Sequence, residues 1–430
     1  MTAFIFGVML FTLLLGYPMF FPLLLAAAAT LWLFYGDLPG FVLVQQFVGG
    51  ITPAALVAVC MFIFAANIMA RGQAADRLLR LVLAFVQHRR GGLAIASALA
   101  CTLFGAVSGS TQATVVAIGG PIRPKMLRAG YPEPFTNALL INASDIALLI
   151  PPSIGMIVYG VVSGTSIGEL FIAGIGPGLL ILLCFCLYCL VAARRFKIPS
   201  VPRQRWGVRT ARLWEALFPL GFSVIIIGGI YGGYVSPTEA AAISVLYAGL
   251  LEVVIYRELS LRDLVEIAKG TGVMTAVVFT LVGAGAAFSW MISFADLPRV
   301  LVQEYLHLGP RSGHITILLT ISVVFFVGCM FVDPIVVILI LTPIFHPIAV
   351  SAGIDPVLVG TLVTLQVAIG SATPPFGCDI FTAIAVFGRP YGAIVRGTPP
   401  FLLILVGISA LLIAFPQVAL LLRDVAFVAR

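Results

Sequence analysis

The sequence predicts an all-α protein that crosses a lipid bilayer several times. Of its 430 residues, 61% are apolar and only 10% are charged, and the mean hydropathy is +1.15. A soluble domain carries about 25% charged residues, so this chain lacks the polar side chains to cover a water-facing surface of its size. Long apolar blocks alternate with short charged loops, as in polytopic helical membrane proteins. These properties exclude an ordinary cytosolic enzyme, a disulfide scaffold and a disordered chain.

Charge and cysteine content indicate topology rather than chemistry. The formal net charge is +7. Because the cations lie in short loops, they mark cytoplasmic segments and not a nucleic-acid site. The seven cysteines all lie inside apolar blocks and are interpreted as small apolar residues, not as metal ligands. The first apolar block runs on to Trp32 without a small-residue cleavage site, which predicts a membrane anchor.

The N-terminal part, residues 1–90, is predicted to contribute scaffold spans and a surface arm helix. Residues 3–35 form either one long kinked helix or two short ones, since a Gly-Tyr-Pro sequence interrupts the block. A span over 52–70 follows. Residues 73–90 interleave arginines with leucines and valines, which favours a basic amphipathic helix in the membrane interface. A plain cytoplasmic helix is the alternative.

Residues 91–120 are predicted to form a re-entrant helical hairpin, the first hairpin. The block is much longer than the about 20 residues needed to cross the hydrocarbon core. Basic residues flank both ends, which places both ends in the cytoplasm. Ser108, Gly109 and Ser110 lie near its middle. Small and hydroxylated residues suit a tip at membrane depth, where freed backbone groups need side chains, water or ions as partners.

Residues 135–166 are predicted to be a helix interrupted at mid-depth, the first broken helix. Pro151 and Pro152 remove two successive backbone donors and forbid a continuous helix. A span over 167–193 then returns to an arginine-rich loop, the strongest cytoplasmic marker in the chain. Residues 91–193 therefore form the first transport repeat.

Two stretches outside the repeats are predicted to complete the scaffold. The C-terminal stretch, 400–430, contains one span, over 400–422, that leads outside. The middle stretch, 194–298, contains three spans, over 213–234, 236–256 and 271–295. A second arm helix, over 258–269, lies between the last two of them.

The second transport repeat is predicted over 299–399. Its hairpin, the second hairpin, covers 312–351, and its interrupted helix, the second broken helix, covers 357–388. A Gly-Cys-Met-Phe-Val-Asp-Pro stretch interrupts the second hairpin, and a Thr-Pro-Pro-Phe-Gly stretch interrupts the second broken helix. The weakly charged flanks of the hairpin suit the non-cytoplasmic side; they are Arg299, Glu304, Arg311 and Asp355.

The order of these features recurs at an offset of 223 residues. Gly105 then corresponds to Gly328, and Pro151-Pro152 to Pro374-Pro375. Identities are few, and what recurs is the order of hairpin break, small loop and double proline. Because the first hairpin ends inside and the second outside, the pattern predicts an inverted-topology repeat, the architecture of secondary transporters. Their transport site lies at the corresponding breaks.

The breaks are predicted to hold two hard monovalent cations. A half-helix that ends at mid-membrane exposes carbonyl oxygens at its C-terminus, which suit such a cation, and N–H groups at its N-terminus, which suit a carboxylate substrate. The predicted residues of the first cation site are Ser108, Gly109, Ser110, Ile150, Pro151, Pro152 and Ser153. Those of the second are Gly328, Asp333, Thr373, Pro374 and Gly377. The alternative is that the hydroxyls only satisfy backbone groups and the prolines only bend the chain.

Acidic residues inside apolar blocks are expensive to bury and therefore mark functional candidates. Asp333 is a cation ligand, a helix N-cap before Pro334, or both. Asn142, Ser144 and Asp145 precede the first double proline and are candidates for the substrate cavity. Asp145 could also bind a proton or cation, or pair locally; the sequence leaves these open.

Seven motifs occur in fixed order along the chain: 104–110, 150–154, 159–175, 332–334, 341–344, 353–356 and 373–377. They resemble the large membrane subunit of tripartite ATP-independent periplasmic (TRAP) transporters, the DctM-like family. The match spans nearly the whole chain. One stretch departs from it, because residues 142–148 contain an acid where the family usually has an uncharged Ser/Gly-rich run.

The resemblance implies an elevator-type secondary transporter in the bacterial inner membrane. Such a permease would import a small organic acid together with Na⁺, which the hairpin tips and double-proline breaks would bind. It implies two protein partners, a small four-helix membrane subunit and a soluble periplasmic substrate-binding protein. No cofactor is implied.

Other functions fit the sequence less well. A stand-alone transporter or channel would need no binding protein. An intramembrane enzyme is disfavoured because no His-Glu-x-x-His or Gly-x-Gly-Asp pattern occurs. The four histidines, near predicted loops or span ends, are interpreted as satisfied or solvated; they are His88, His307, His314 and His346. No P-loop is present, so ATP is not the expected energy source.

Overall fold

A computed structural model describes residues 1–199, 202–297 and 313–428. Within those ranges the chain forms helices and connecting turns, and no strand occurs. In this part of the chain, six helices are long and apolar enough to cross a membrane, and two bent helix pairs raise the number to as many as eight. This confirms the predicted all-α, polytopic class. The six are Ile167–Arg195, Trp206–Tyr231, Pro237–Ile255, Leu261–Phe294, His314–Phe331 and Pro334–Ser351.

The N-terminal block consists of two helices, Thr2–Leu14 and Phe20–Phe34. Gly16 lies in the turn between them with φ +81°, a conformation that favours glycine. The next two helices, Phe41–Ile51 and Ala55–Arg71, meet at an angle of 56°. The region predicted as a single span over 52–70 is therefore the second limb of a bent pair.

The arm helix, Ala74–Val86, is fixed to the scaffold at both ends. At its N-terminus the buried Glu252 carboxylate accepts the backbone N–H groups of Gln73 (3.0 Å) and Ala74 (3.2 Å). At its C-terminus Arg209 donates to the carbonyl oxygens of Ala84 (3.1 Å) and Phe85 (3.2 Å). An anion at the start and a cation at the end complement the helix dipole. Its position relative to lipid stays a prediction.

The two hairpins share one construction. The first has limbs Gly92–Ser108 and Thr111–Arg128, the second limb containing a π-helical turn, so it runs eight residues beyond the expected end at 120. The second has limbs His314–Phe331 and Pro334–Ser351. In each hairpin two residues separate the limbs, so each tip is tight.

The two broken helices also share one construction. The first consists of Glu133–Ser144, a 3₁₀ turn and Ile154–Ser163. The second consists of Pro356–Ser371 and Cys378–Phe387. The double prolines lie in the two breaks, because proline lacks the backbone N–H that a continuous helix needs.

Ion pairs at opposite ends of the molecule link the repeats in a reciprocal way. Glu133, at the start of the first broken helix, pairs with Arg123 of the first hairpin and with Arg389, just after the second broken helix, both at 2.5 Å. Arg423 pairs with Asp355, after the second hairpin, at 2.5 Å and lies 3.8 Å from Glu169, after the first broken helix. The base of each hairpin thus lies beside the far end of the other repeat's broken helix. Only antiparallel repeats give this arrangement. Of the residues used to orient them, Arg299, Glu304 and Arg311 lie outside the described residues, as does His307.

Two further predicted elements differ from the structure. The second arm helix and the span after it form one continuous helix, Leu261–Phe294, which begins with a capping box of Ser260 and Asp263. The glycines near residue 270 favour a boundary in the sequence, but without proline a helix continues through them. The last predicted span is a bent pair, Pro399–Ala414 and Gln417–Val428, at 62°. Pro416 at the bend explains the interruption.

Candidate transport site

The tip of the first hairpin lies against the break of the first broken helix. Gly109 has φ +60°, and a Cβ there would lie 2.1 Å from the carbonyl oxygen of Pro152. Only glycine permits this approach. Ser108 precedes it as the last residue of its limb, and Ser110 caps the next limb by accepting the N–H of Ala113. The structure therefore brings both predicted parts of the first cation site together.

The hydroxyl groups of this region also form hydrogen bonds with one another and with backbone groups. Ser108 Oγ lies 3.1 Å from Thr114 Oγ1, which donates to the carbonyl oxygen of Ser110 at 2.8 Å. Ser153 caps the second half of the broken helix by accepting the N–H of Met156 at 3.3 Å. Ile150, Pro151 and Pro152 are buried around the break. Cation binding here stays a prediction.

The second tip and the second break meet through backbone atoms. Phe376 donates its N–H to the carbonyl oxygen of Met330 at 3.1 Å, and Gly377 donates to the carbonyl oxygen of Thr373 at 3.2 Å. Pro374 lies in the same break. Gly328 lies inside the first limb, where a Cβ would meet Val337 at 3.1 Å. It therefore lets the two limbs pack closely, and the tip itself is Val332 and Asp333.

Asp333 is the N-cap of the second limb. Its Oδ1 accepts the N–H of Ile335 at 2.9 Å, and Pro334 occupies the first helical position. This is the capping geometry that the sequence offered as one alternative. A role as cation ligand is compatible with it, because a carboxylate has lone pairs beyond those used by the cap.

Both hairpin tips and the scaffold line one cavity of about 400 Å³. The size is that of a small-molecule site. Asp333 is the one charged side chain among its described lining residues. The polar lining also includes Asn67, Ser108, Ser110, Thr111 and Gln112, and the apolar lining includes Ile63, Ala66, Met274 and Val278.

The residues predicted for a substrate cavity lie elsewhere in the core. Asn142 donates to the carbonyl oxygen of Ala138 and Ser144 to that of Leu140, both at 2.8 Å. Together with Asp145 they are almost fully buried, and none of the three lines the 400 Å³ cavity. Their contact with substrate stays a prediction.

One buried acid was not singled out from the sequence. Asp379 follows the second break and is fully buried. Its Oδ1 accepts the hydroxyl of Thr111 and its Oδ2 that of Ser371, each at 2.7 Å. The signal was present, since Asp379 lies inside an apolar block just as Asp145 and Asp333 do. Its pairing with a residue of the other repeat carries no sequence signal.

Comparison with known families settles the class of protein. The family described as "Tripartite ATP-independent periplasmic transporter, DctM component" matches residues 6–418. The chain belongs to this family. It is a TRAP large permease subunit, a multi-pass membrane protein and not an enzyme, as the motifs indicated.

Several curated relatives resemble this permease over most or nearly all of its length. The ectoine/5-hydroxyectoine TRAP transporter large permease protein UehC of Ruegeria pomeroyi is 62% identical over 99% of this chain and 100% of its own. The ectoine TRAP transporter large permease protein TeaC of Halomonas elongata is 59% identical with the same coverage. The C4-dicarboxylate permease DctM of Pseudomonas aeruginosa is 37% identical over 86% of each chain.

A solved structure has the same fold. The YdaH transporter of Alcanivorax borkumensis superimposes with a TM-score of 0.62 over 88% of each chain, at 17% identity. At that identity the likeness concerns the fold alone.

Proposed function

We propose that this permease imports ectoine or a closely related zwitterion. The observation that carries the proposal is the identity of 62% and 59%, over 99% of the chain, to two permeases named for ectoine compounds. Ectoine is a small organic acid, in agreement with the class expected from the sequence, but its ring also carries a positive amidinium group. The substrate would therefore need both an anion-binding and a cation-binding partner.

The cavity between the two tips offers both kinds of partner. The Asp333 carboxylate suits the amidinium group, because a charge-assisted hydrogen bond to a carboxylate is strong. The side chains of Asn67, Ser110 and Gln112 can donate to the substrate carboxylate. The apolar wall, which includes Met274 and Val278, suits the methylene and methyl groups of the ring.

Na⁺ is the proposed coupling ion. Each tip lies against a double-proline break, as shown by the approach of Gly109 to Pro152 and by the hydrogen bond from Phe376 to Met330. Backbone carbonyl oxygens lie at both contacts, those of Pro152 and Met330, and hard monovalent cations prefer oxygen ligands. Occupied sites would order both tips and so favour the substrate-binding conformation.

The two repeats are proposed to move together against the scaffold, as in an elevator. The cavity supports this, because its lining comes from the hairpin tips on one side and from scaffold residues such as Asn67 and Met274 on the other. Through its family, the permease is proposed to work in the bacterial inner membrane with a small four-helix subunit and a periplasmic substrate-binding protein.

The test is uptake of radiolabelled ectoine into proteoliposomes that contain this permease and its small membrane subunit. We expect uptake only when the binding protein is added and an inward Na⁺ gradient is present, with a K⁺ gradient as the matched control. Succinate and sialic acid serve as substrate controls. Uptake of ectoine without the binding protein would favour a stand-alone transporter, and uptake independent of Na⁺ would contradict the coupling.

A further inference from the structure

Two arginines meet at one tryptophan on the scaffold, where the arm helix ends. Arg209 is only 2% exposed, and besides its two hydrogen bonds to the arm helix its Nη2 lies 3.2 Å from His88 Nδ1. The guanidinium carbon of Arg209 lies 5.1 Å from the ring centroid of Trp206, and that of Arg203 lies 5.3 Å from the same centroid. We call Arg203, Trp206 and Arg209 the arginine–tryptophan cluster.

The positive charge of this cluster has no acidic counterpart. Among the described residues, neither Arg203 nor Arg209 forms a salt bridge. The sequence explains this, because no aspartate or glutamate occurs in 77–132 or in 170–214, the two stretches that surround the cluster. No described residue accepts a hydrogen bond from Nη1 of Arg209. A buried guanidinium with unused donors and no counter-charge is costly until an anion binds it.

Exposed apolar side chains beside the cluster indicate where it lies in a membrane. Trp206 begins the helix Trp206–Tyr231, which is long and apolar enough to cross a membrane, and is 64% exposed. Tryptophan at the end of a span typically lies at the level of the lipid headgroups. Leu213 and Leu217 follow on the same helix face and are also exposed. The cluster therefore borders an apolar stripe about 16 Å long.

We propose that the arginine–tryptophan cluster binds the headgroup of an anionic phospholipid, in the leaflet predicted to be cytoplasmic. The lipid phosphate would accept hydrogen bonds from Arg203 and from Nη1 of Arg209, because guanidinium groups form charge-assisted hydrogen bonds with phosphate oxygens. One acyl chain would pack along Trp206, Leu213 and Leu217. A zwitterionic lipid fits less well, because the cluster offers its ammonium group no acid.

This site would join the bilayer surface to the arm helix. Arg209 already holds the last carbonyl groups of that helix, so a phosphate on the same guanidinium links the arm helix, a scaffold span and the lipid. A free phosphate ion would offer the same headgroup chemistry, but it would leave the apolar stripe unused. The inference depends on neither the substrate nor the coupling ion.

The experiment measures lipid at the cluster by fluorescence quenching. The complete transporter is reconstituted in phosphatidylcholine vesicles that contain a minor fraction of brominated phosphatidylglycerol or, in parallel, of brominated phosphatidylcholine. Phenylalanine replaces the other three tryptophans of the permease, Trp32, Trp214 and Trp290. Subtracting the signal of a variant that also carries Trp206→Phe leaves the emission of Trp206 alone. We expect Trp206 to prefer phosphatidylglycerol roughly tenfold, and Arg203→Gln to reduce that preference roughly fivefold.

Arg205→Gln is the matched control. Arg205 is exposed in the same stretch, and its replacement removes the same charge, but the cations that lie over Trp206 are Arg203 and Arg209. We expect it to keep the preference within about twofold. Equal losses in both variants would indicate general attraction to an anionic surface and would overturn the site, as would equal quenching by the two lipids.

Two further measurements distinguish other occupants. Inorganic phosphate should leave the quenching by brominated phosphatidylglycerol unchanged in vesicles. If phosphate abolishes the preference, the cluster is a site for the free ion and the lipid proposal is wrong. Quenching that occurs in the permease alone but disappears in the complete transporter would assign the cluster to the contact with the small subunit, and would overturn the proposal equally.

Discussion

At the scale of single residues, the chemistry of the cavity depends on one charge. Asp333 both caps a helix and faces the cavity. The sequence indicated these roles because an acid directly before a proline, inside an apolar block, is typical of a helix cap or a functional site. It could not indicate the hydrogen bond between Thr111 and Asp379, since these residues are 268 positions apart and meet only through tertiary packing.

The substitution Asp333→Asn separates the two roles. Asparagine caps helices as well as aspartate does, so thermal stability should change little. Loss of the charge should raise the KM for ectoine, the Na⁺ requirement, or both, roughly tenfold. Uptake kinetics measure this. Asp355→Asn is the control for a capping carboxylate before proline away from the cavity; because it also removes the ion pair with Arg423, it should lower thermal stability but leave the KM for ectoine unchanged. Unchanged uptake by Asp333→Asn would exclude a role for the charge.

At the scale of elements, the breaks were more predictable than the ends of helices. Proline and glycine act locally, so both tips and both double-proline breaks could be located from the sequence. The continuous Leu261–Phe294 helix could not, because Lys269 and its neighbouring glycines resemble a boundary until packing is known. The arm helix was predictable from its arginines, but its anchoring residues, Glu252 and Arg209, come from distant parts of the chain.

The anchoring of the arm helix gives a prediction about stability. Glu252→Gln would turn an amide NH₂ toward the backbone N–H of Gln73 or Ala74 and remove one acceptor. We expect a loss of about 1–3 kcal/mol, the cost of an unsatisfied buried donor, seen as earlier thermal unfolding of the purified permease. Glu258→Gln is the control. Among the described residues, the Glu258 carboxylate makes an exposed contact with the Gln73 side chain, so its loss should change stability by less than about 0.5 kcal/mol. Equal effects would contradict a specific anchor.

At the scale of the whole molecule, the reciprocal ion pairs indicate that the repeats are antiparallel, and cysteine labelling can verify this topology. Arg128 and Ser351 are exposed residues at equivalent positions of the two repeats. In a variant without native cysteines, Arg128→Cys should react with a membrane-impermeant maleimide only from the cytoplasmic side and Ser351→Cys only from the other. Labelling of both from one side would contradict the inverted topology.

The ion pairs of Glu133 predict that the stability of the protein depends on pH. Hydrogen bonds from Arg389, and the nearby charge of Arg123, hold the pKa of Glu133 below its usual range, although partial burial acts in the opposite direction. Since the folded state lowers this pKa, the pair stabilises the protein above the ordinary pKa of glutamate. That stabilisation is lost as pH falls through the lowered value. The midpoint temperature of thermal unfolding should therefore fall less steeply between neutral and acidic pH in Glu133→Gln than in the native permease.

The ion pair of Glu133 with Arg389 at one end, and the approach of Arg423 to Glu169 at the other, have a consequence for the unit that can exist alone. At each end, a charge in one half of the chain lies beside an opposite charge that the other half supplies. A fragment carrying only the first repeat would expose Glu133 without Arg389, and its partner fragment would lack Glu133 in turn. Neither fragment is a small transporter by itself, and activity would return only where the two are produced together and reassemble.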